Sequence, residues 1–333
     1  MLLKFLSADD AGRIDAASRK ILADVGVEIP HEETAGRLLE AGASRDPATG
    51  HVRIPSATID ASLSAAGKSF TIYGRDGDRP AHFGQGTRNY NSIAGEAHWI
   101  DEESDRRRPA TLADVATAAR VGDALDNINI VGAMADPQDV PVECRCVEVA
   151  ATLLRNTAKP ITFWFHDRRS ARFVTEIFEA VAGGEDEAAK RPLGYPFLEP
   201  ISPLRFPLDG IDLLYETARL NLPVPIGPMA QVGLSAPGTL AGTLAQENAE
   251  ILAGVCITQA IRPGIAVCYG GIPHAFDMAT TQMIFAGPEQ CLMGAAMAQM
   301  GKLYGLPVYV NLGLTDSKTV DAQAGIEAGM SLL

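Results

Sequence analysis

The sequence predicts an α/β chain: a (β/α)8 TIM-type barrel that stops after about six strands, preceded by a small α+β N-terminal module. Three observations predict it. Six short apolar runs bounded by Pro or Gly recur in the second part of the chain: INIVGAMA, PITFWFH, YPFLEPIS, VPIGPMA, GIAVCYGG and VYVNLGL. Helical patterns lie between them: CVEVAATLLRN, SARFVTEIFEAVA, GIDLLYETARL, TLAGTLAQENAEILAGVCITQAI and PEQCLMGAAMAQMGKLYG. No GxGxxG follows any of the runs. Runs that are apolar on both faces suit parallel strands covered by helices. An unbroken βα series without a dinucleotide fingerprint favours a barrel over a doubly wound sheet.

The module spans residues 1–111 and the barrel residues 112–333. Ser7 is placed to N-cap a helix over AGRIDAASRKILADVGV, where apolar residues recur with a period of 3.6. HEETAGRLLEAG predicts a second helix stopped near Gly42, HVRIP a short strand, ATIDASLSAAG a third helix, and KSFTIYGRDGD a strand with a Gly-rich turn. The mixed stretch GQGTRNYNSIAGEAHWID and the charged DEESDRRRP close the module. At the other end the chain stops at GIEAGMSLL, inside a helical pattern. Since a closed barrel takes eight strands, the expectation is a barrel lacking at least two βα units.

Composition bounds the function. There are 28 basic and 41 acidic residues, a net charge of −13, which argues against a nucleic-acid or other polyanionic partner. No apolar run is long enough for a membrane span, and residues 1–30 lack a signal-peptide pattern. The five cysteines, Cys144, Cys146, Cys256, Cys268 and Cys291, include no CxxC, so reduced thiols in a cytoplasmic protein are expected. Cys144 and Cys146 are read as thiols on different faces of one helix. The six histidines form no HxH or HExxH, so no metal site is expected.

Several stretches, by their order and spacing together, carry a resemblance: GRDG at Gly74–Gly77, NTAK at Asn156–Lys159, SPL at Ser202–Leu204, LAGTLAQENAEILAGVCITQAIRPG at Leu240–Gly264, GPEQ at Gly287–Gln290, and YGLPVYVNLGLTDSKTVDAQAG at Tyr304–Gly325. Together they resemble the trimethylamine methyltransferase (MttB-like) family, from roughly residue 7 to the end. The resemblance implies a β/α barrel longer than this chain. It also implies transfer of a methyl group from a methylated amine to the cobalt of a corrinoid (cobalamin) carried on a separate protein, in one-carbon metabolism of the methanogenesis type. The chain lacks the DxHxxG of cobalamin-binding modules, so the corrinoid is expected on that partner.

The founding trimethylamine enzymes of this family carry pyrrolysine at the end of the sixth strand, before an SDAK-like turn. Here the turn is Thr315-Asp316-Ser317-Lys318 and the pyrrolysine position is Leu314. Leucine has no electrophilic imine to capture a tertiary amine. The resemblance therefore implies the non-pyrrolysine branch, glycine betaine:corrinoid methyltransferase-like, acting on quaternary amines. A quaternary nitrogen already carries its positive charge and leaves as a neutral amine, so the protein's tasks are positioning and exclusion of water. Leu314 is then expected as a packing wall of the pocket that presents the methyl group.

A quaternary ammonium is held by aromatic faces with a nearby carboxylate, and a barrel site lies at the C-terminal strand ends. Trp164 and His166 close one apolar run, Tyr269 another, Asn311 precedes Leu314, and Tyr90 sits in the joining segment as a lid candidate. For each aromatic, core packing is the competing reading. His166 is read as a hydrogen-bond donor to a substrate carboxylate, with Arg168 and Arg169 as further candidates or as the solvated start of a helix. Glu199 and Asp136 are carboxylates near strand ends. Glu250 shares a helix face with Gln246 and is either a site carboxylate, a surface carboxylate, or a capping partner for a loop. Two rivals stand beside methyl transfer: a Schiff-base aldolase or lyase using Lys318, against which the adjacent Asp316 works, and an amine-binding homologue without activity. A homo-oligomer stays open.

Overall fold

The computed structural model describes residues 4–101, 103, 104 and 106–332. The chain forms two compact units that alternate along the sequence. The first comprises Met1–Lys68, Leu198–Ile211 and Pro225–Leu333; the second comprises Ser69–Phe197 and Asp212–Val224.

The first unit is built on the helix Leu240–Ile261, in which every residue from Thr243 to Gln259 is buried. Thr239 caps it, its hydroxyl accepting from Gly242 N at 3.2 Å, and the sequence Arg262-Pro263-Gly264 ends it. A helix buried on all sides needs cover all round. The helices Ala8–Asp24, Glu32–Glu40 and Ser56–Ala65 pack on it, as does Pro288–Leu303. Ser7 caps the first of these, as the sequence predicts, and does so in a capping box with Asp10. Gly254 lets the sheet come close, for an added Cβ there would lie 2.6 Å from Ile226 Cγ2.

That sheet has the strand Val267–Gly270 between Val224–Ile226 and Val308–Tyr309. Tyr269 and Gly270 pair in parallel with Val308 and Tyr309, and Leu198 bridges Ile226 in parallel. The strands of this sheet follow one another across it in chain order, with a helix in each connection. An antiparallel hairpin, Ala275–Asp277 with Gln282–Ile284, follows the central strand; nothing in the sequence reading anticipates it.

In the second unit Val131 and Gly132 pair in parallel with Ile161 and Thr162, and Ile161 N donates to Leu193 O at 2.9 Å. Val131, Leu153, Ile161, Phe163, Val174 and Phe178 belong to its core, over which the helices Leu112–Ala124, Val142–Asn156 and Arg168–Ala182 lie. Two antiparallel hairpins complete it, Phe70–Ile72 with Ala81–Phe83 and His98–Asp101 with Arg106–Pro109.

Five of the six apolar runs contain a strand. YPFLEPIS does not: Pro196 and Pro200 remove backbone donors on either side, and only isolated bridges form, Leu198 with Ile226 and Ile201 with Arg205. The described pairing gives a two-stranded parallel ladder and a three-stranded sheet and does not close into a ring. Cys144 is exposed and Cys146 buried, as expected of thiols on different helix faces. Among the described residues no helix is long and apolar enough to cross a membrane.

Candidate functional site

In the first unit the N-terminal half of the helix Leu240–Ile261 fastens three successive loops that follow strand positions. Glu250 holds the loop after Leu198: Ser202 Oγ donates to its Oε2 at 2.7 Å and Leu204 N to its Oε1 at 2.8 Å. Gln246 donates to Ser235 O at 2.9 Å, in the loop after Val224–Ile226, and to Glu250 Oε1 at 3.1 Å. Glu247 Oε1 accepts from Ile272 N at 2.7 Å, in the loop after Val267–Gly270. Asn248 turns to the other side, donating to Ser18 Oγ and Tyr304 OH at 2.9 Å each and accepting from Tyr269 OH at 2.7 Å. The motif QENAE is thus a set of latches.

These groups are desolvated. Glu247 and Glu250 are both fully buried, and burial raises both carboxyls above the ordinary glutamate value, Glu247 strongly so, with repulsion from Glu250 adding to it. Glu247 Oε2 meets no partner. His274, also fully buried, has both ring nitrogens outside bonding geometry. Burial pushes its imidazole down to about 4, and the Ile272 backbone offsets this only in part. Neither Glu247 nor His274 is singled out by the sequence reading. The available signal was a string of polar residues inside a helix with no polar face.

The Leu314 turn lies after the strand Val308–Tyr309. Leu314 is half-buried, beside Gly313 at φ +72°. Glu327 Oε2 braces the turn by accepting from Thr315 Oγ1 at 2.6 Å and Asp316 N at 2.8 Å. Asp316 Oδ2 accepts from Phe285 N at 3.1 Å, while Lys318 is exposed. Asn311 is half-buried at the strand end, and Glu199 is half-buried next to Leu198. Tyr269 sits in the core, its hydroxyl on Asn248 and its ring 6.0 Å from that of Tyr304.

In the second unit Trp164, His166 and Asp136 come together beyond the parallel pair. Trp164 Nε1 donates to Gly95 O at 2.8 Å, which fixes the indole next to Glu96, and its ring meets Phe197 edge-on at 6.3 Å. Asp136 N donates to Glu96 O at 2.8 Å. Asp136 pairs with Arg145 at 2.9 Å and lies 3.9 Å from His166 Nε2. Partial burial, with Asp136 nearby, raises the Glu96 carboxyl. Glu96 was not among the sequence candidates, since it lies in a stretch with no periodic signal. An aromatic face with a carboxylate near it is the chemistry that holds an organic cation; of the two carboxyls here, Asp136 is already paired with Arg145. Arg168 is committed to structure, paired with Asp212 at 3.1 Å and over the Tyr215 ring at 5.6 Å. Tyr90 is exposed, and its backbone pairs with Asn129.

The other resemblance motifs pack on one another. A Cβ on Gly74 of GRDG would come within 1.9 Å of Ala158 O in NTAK. Lys159 Nζ donates to Gly122 O at 2.9 Å and Leu125 O at 2.7 Å, at the end of the helix Leu112–Ala124.

The sequence model of the family described as trimethylamine methyltransferase (MTTB) matches residues 1–333. A glycine betaine methyltransferase of Desulfitobacterium hafniense (strain Y51) is 30% identical over 329 residues, which is 98% of this chain and 68% of that protein. Trimethylamine methyltransferase MttB of Methanosarcina barkeri is 29% identical over 347 residues, covering 99% of this chain and 68% of its own. Among solved structures, the Methanosarcina barkeri monomethylamine methyltransferase (MtmB) is similar in fold, with a TM-score of 0.55 at 11% identity over 98% of this chain and 75% of that one.

Proposed function

The chain belongs to the trimethylamine methyltransferase (MTTB) family, and on that premise we propose that it moves a methyl group from a quaternary amine of the betaine type to a corrinoid carried by a partner protein. The observation that supports this reading is Leu314 before the turn Thr315–Lys318, which the resemblance matches to the position where the family's trimethylamine enzymes hold pyrrolysine. A tertiary amine must be made cationic before it can lose methyl, which is a task for an electrophile. A quaternary amine needs none, and a hydrocarbon side chain suffices. The 30% identity to a glycine betaine methyltransferase supports the same choice of donor. The fold is read as a β/α barrel, supported by parallel neighbours that follow chain order within each unit.

The corrinoid, when bound, supplies the nucleophile as Co(I). Leu314 fits it by offering neither a nucleophile nor a cobalt ligand of its own. The ammonium is assigned to the indole face of Trp164, which is anchored on Gly95 one residue before Glu96. Holding a charge that is already fixed demands orientation and exclusion of water rather than proton transfer. His166, whose Nδ1 is buried without a partner, is assigned the donor's carboxylate.

The test is formation of methylcobalamin from Co(I) cobalamin with glycine betaine, other betaines and trimethylamine as donors. Turnover with at least one quaternary amine and none with trimethylamine is expected. Turnover with trimethylamine alone overturns the proposal.

A further inference from the structure

We infer that Glu247 is a positioning residue that works as an uncharged acid, fixing the loop Gly271–His274 and through it the turn that carries Leu314. For its effect on turnover the inference rests on the methyl-transfer reading; for the state of Glu247 it stands alone.

The geometry runs in steps, all within the first unit. Glu247 Oε1 accepts from Ile272 N at 2.7 Å. Two residues on, His274 N donates to Ala230 O at 2.9 Å and His274 O accepts from Val232 N at 3.0 Å, which joins the loop to the one after Val224–Ile226. The His274 ring meets the Phe285 ring edge-on at 5.0 Å, and Phe285 N donates to Asp316 Oδ2 at 3.1 Å. Asp316 is two residues from Leu314. A displacement of Ile272 is therefore passed through packed contacts to the turn.

The charge state follows from what surrounds the carboxyl. The titratable groups facing Glu247 are Glu250 on its own helix and the Tyr269 hydroxyl on the strand; His274, neutral through burial, lies two residues beyond Ile272. None of them supplies a positive charge, and among the described residues no Lys or Arg pairs with Glu247. A fully buried carboxylate with one backbone donor and a second carboxyl a turn away lacks compensation. With the proton on Oε2 the group still accepts from Ile272 N through Oε1. Glutamine has the same disposition of one acceptor and one donor, so it is the conservative replacement.

The experiment uses the full chain with cob(I)alamin as acceptor and glycine betaine as donor, comparing wild type, Glu247→Gln and Glu247→Ala. Infrared spectra at neutral pH are expected to show a protonated-carboxyl band in wild type that Glu247→Gln lacks. Hydrogen exchange at the Ile272 amide is expected to stay slow in Glu247→Gln and to become fast in Glu247→Ala. Turnover in Glu247→Gln should stay within about 3-fold of wild type and in Glu247→Ala fall by about ten-fold or more. Absence of the protonated band, or a Gln variant as impaired as the Ala variant, overturns the inference; so does an Ala variant that exchanges and turns over like wild type. If wild type moves no methyl group from any donor, the methyl-transfer reading fails, while the infrared and exchange results still decide the state of Glu247. If Glu247→Ala does not fold, the Gln variant and the wild-type spectrum decide it.

Discussion

Glu250 Oε2 lies 2.7 Å from Ser202 Oγ, so a carboxyl in the middle of the most buried helix holds a loop that begins just after Leu198. The same carboxyl also accepts from Leu204 N and Gln246 Nε2. Glu250→Ala strips three donors of their acceptor, two of which, Ser202 and Leu204, are half-buried. Its expected cost is about 1–3 kcal/mol, since water reaches part of what is left unsatisfied. Glu250→Gln keeps at least one acceptor and should cost less than half of that. Urea unfolding at pH 7, compared at unchanged m-value, measures both.

Gly254 offers a test in which the sign is informative. Glycine to alanine inside a helix ordinarily stabilises by about 1 kcal/mol. Here the added methyl would sit 2.6 Å from Ile226 Cγ2, and the sheet would have to move away. Gly254→Ala is expected to destabilise by about 1–3 kcal/mol, as overpacking does. A gain in thermal midpoint would mean that the helix and strand are not in the tight contact described.

Local signals carried most of the fold into the sequence. Ser7 announces the first helix, and Gly42, at φ +98°, its successor's end. The apolar runs mark strands because Val, Ile and Phe there have no polar alternation to suggest a second face. YPFLEPIS misleads because hydrophobicity says nothing of the donors its prolines lack. The hairpin Ala275–Asp277/Gln282–Ile284 is hidden because its strands are short and partly polar. The site is less legible for a different reason. Glu247 and His274 matter through burial, and burial is set by partners far along the chain: Ile272 is 25 positions from Glu247. Spacing within one helix cannot report that. Glu96 depends likewise on Trp164 and Asp136, which reach it from separate loops.

Trp164 is where the proposed cation contact becomes measurable. Its indole is already fixed by the bond to Gly95 O, so no ordering is left to binding. Trp164→Leu should raise the KM for glycine betaine by roughly 5- to 30-fold, the ~1–2 kcal/mol that a cation–π contact supplies as it is desolvated. Trp164→Phe keeps a face and should lose less. Steady-state methylcobalamin formation separates the two; equal loss in both variants would assign Trp164 to packing.

Leu314 makes a prediction by its inertness. If a hydrocarbon there needs only to fill space, Leu314→Met should turn over glycine betaine within about 3-fold of wild type, since such volume-conserving exchanges cost little. Loss of all turnover in a variant whose unfolding is unchanged would show that the leucine does more than occupy the turn.

Two buried titratable groups of the first unit, His274 and Glu247, act on stability from opposite sides of the pH scale. His274 has a folded value of about 4 against 6.5 in the unfolded chain. It is therefore neutral in the fold under conditions where the unfolded chain binds a proton. Its contribution is complete above about 6.5 and is lost as pH falls toward 4, amounting to about 3 kcal/mol at most. Glu247 acts in reverse. Its folded value lies well above the 4.5 of an ordinary glutamate, so stability on its account is complete below about 4.5 and declines as pH rises and the unfolded chain ionises. Glu247→Gln should remove that decline and be more stable than wild type at pH 8, while His274→Leu should flatten the acid limb alone. Thermal midpoints of the three proteins from pH 4 to 9 check both signs at once. A wild type that gains stability steadily from neutral to alkaline pH, with Glu247→Gln less stable there, would mean that Glu247 is ionised in the fold and held by a partner.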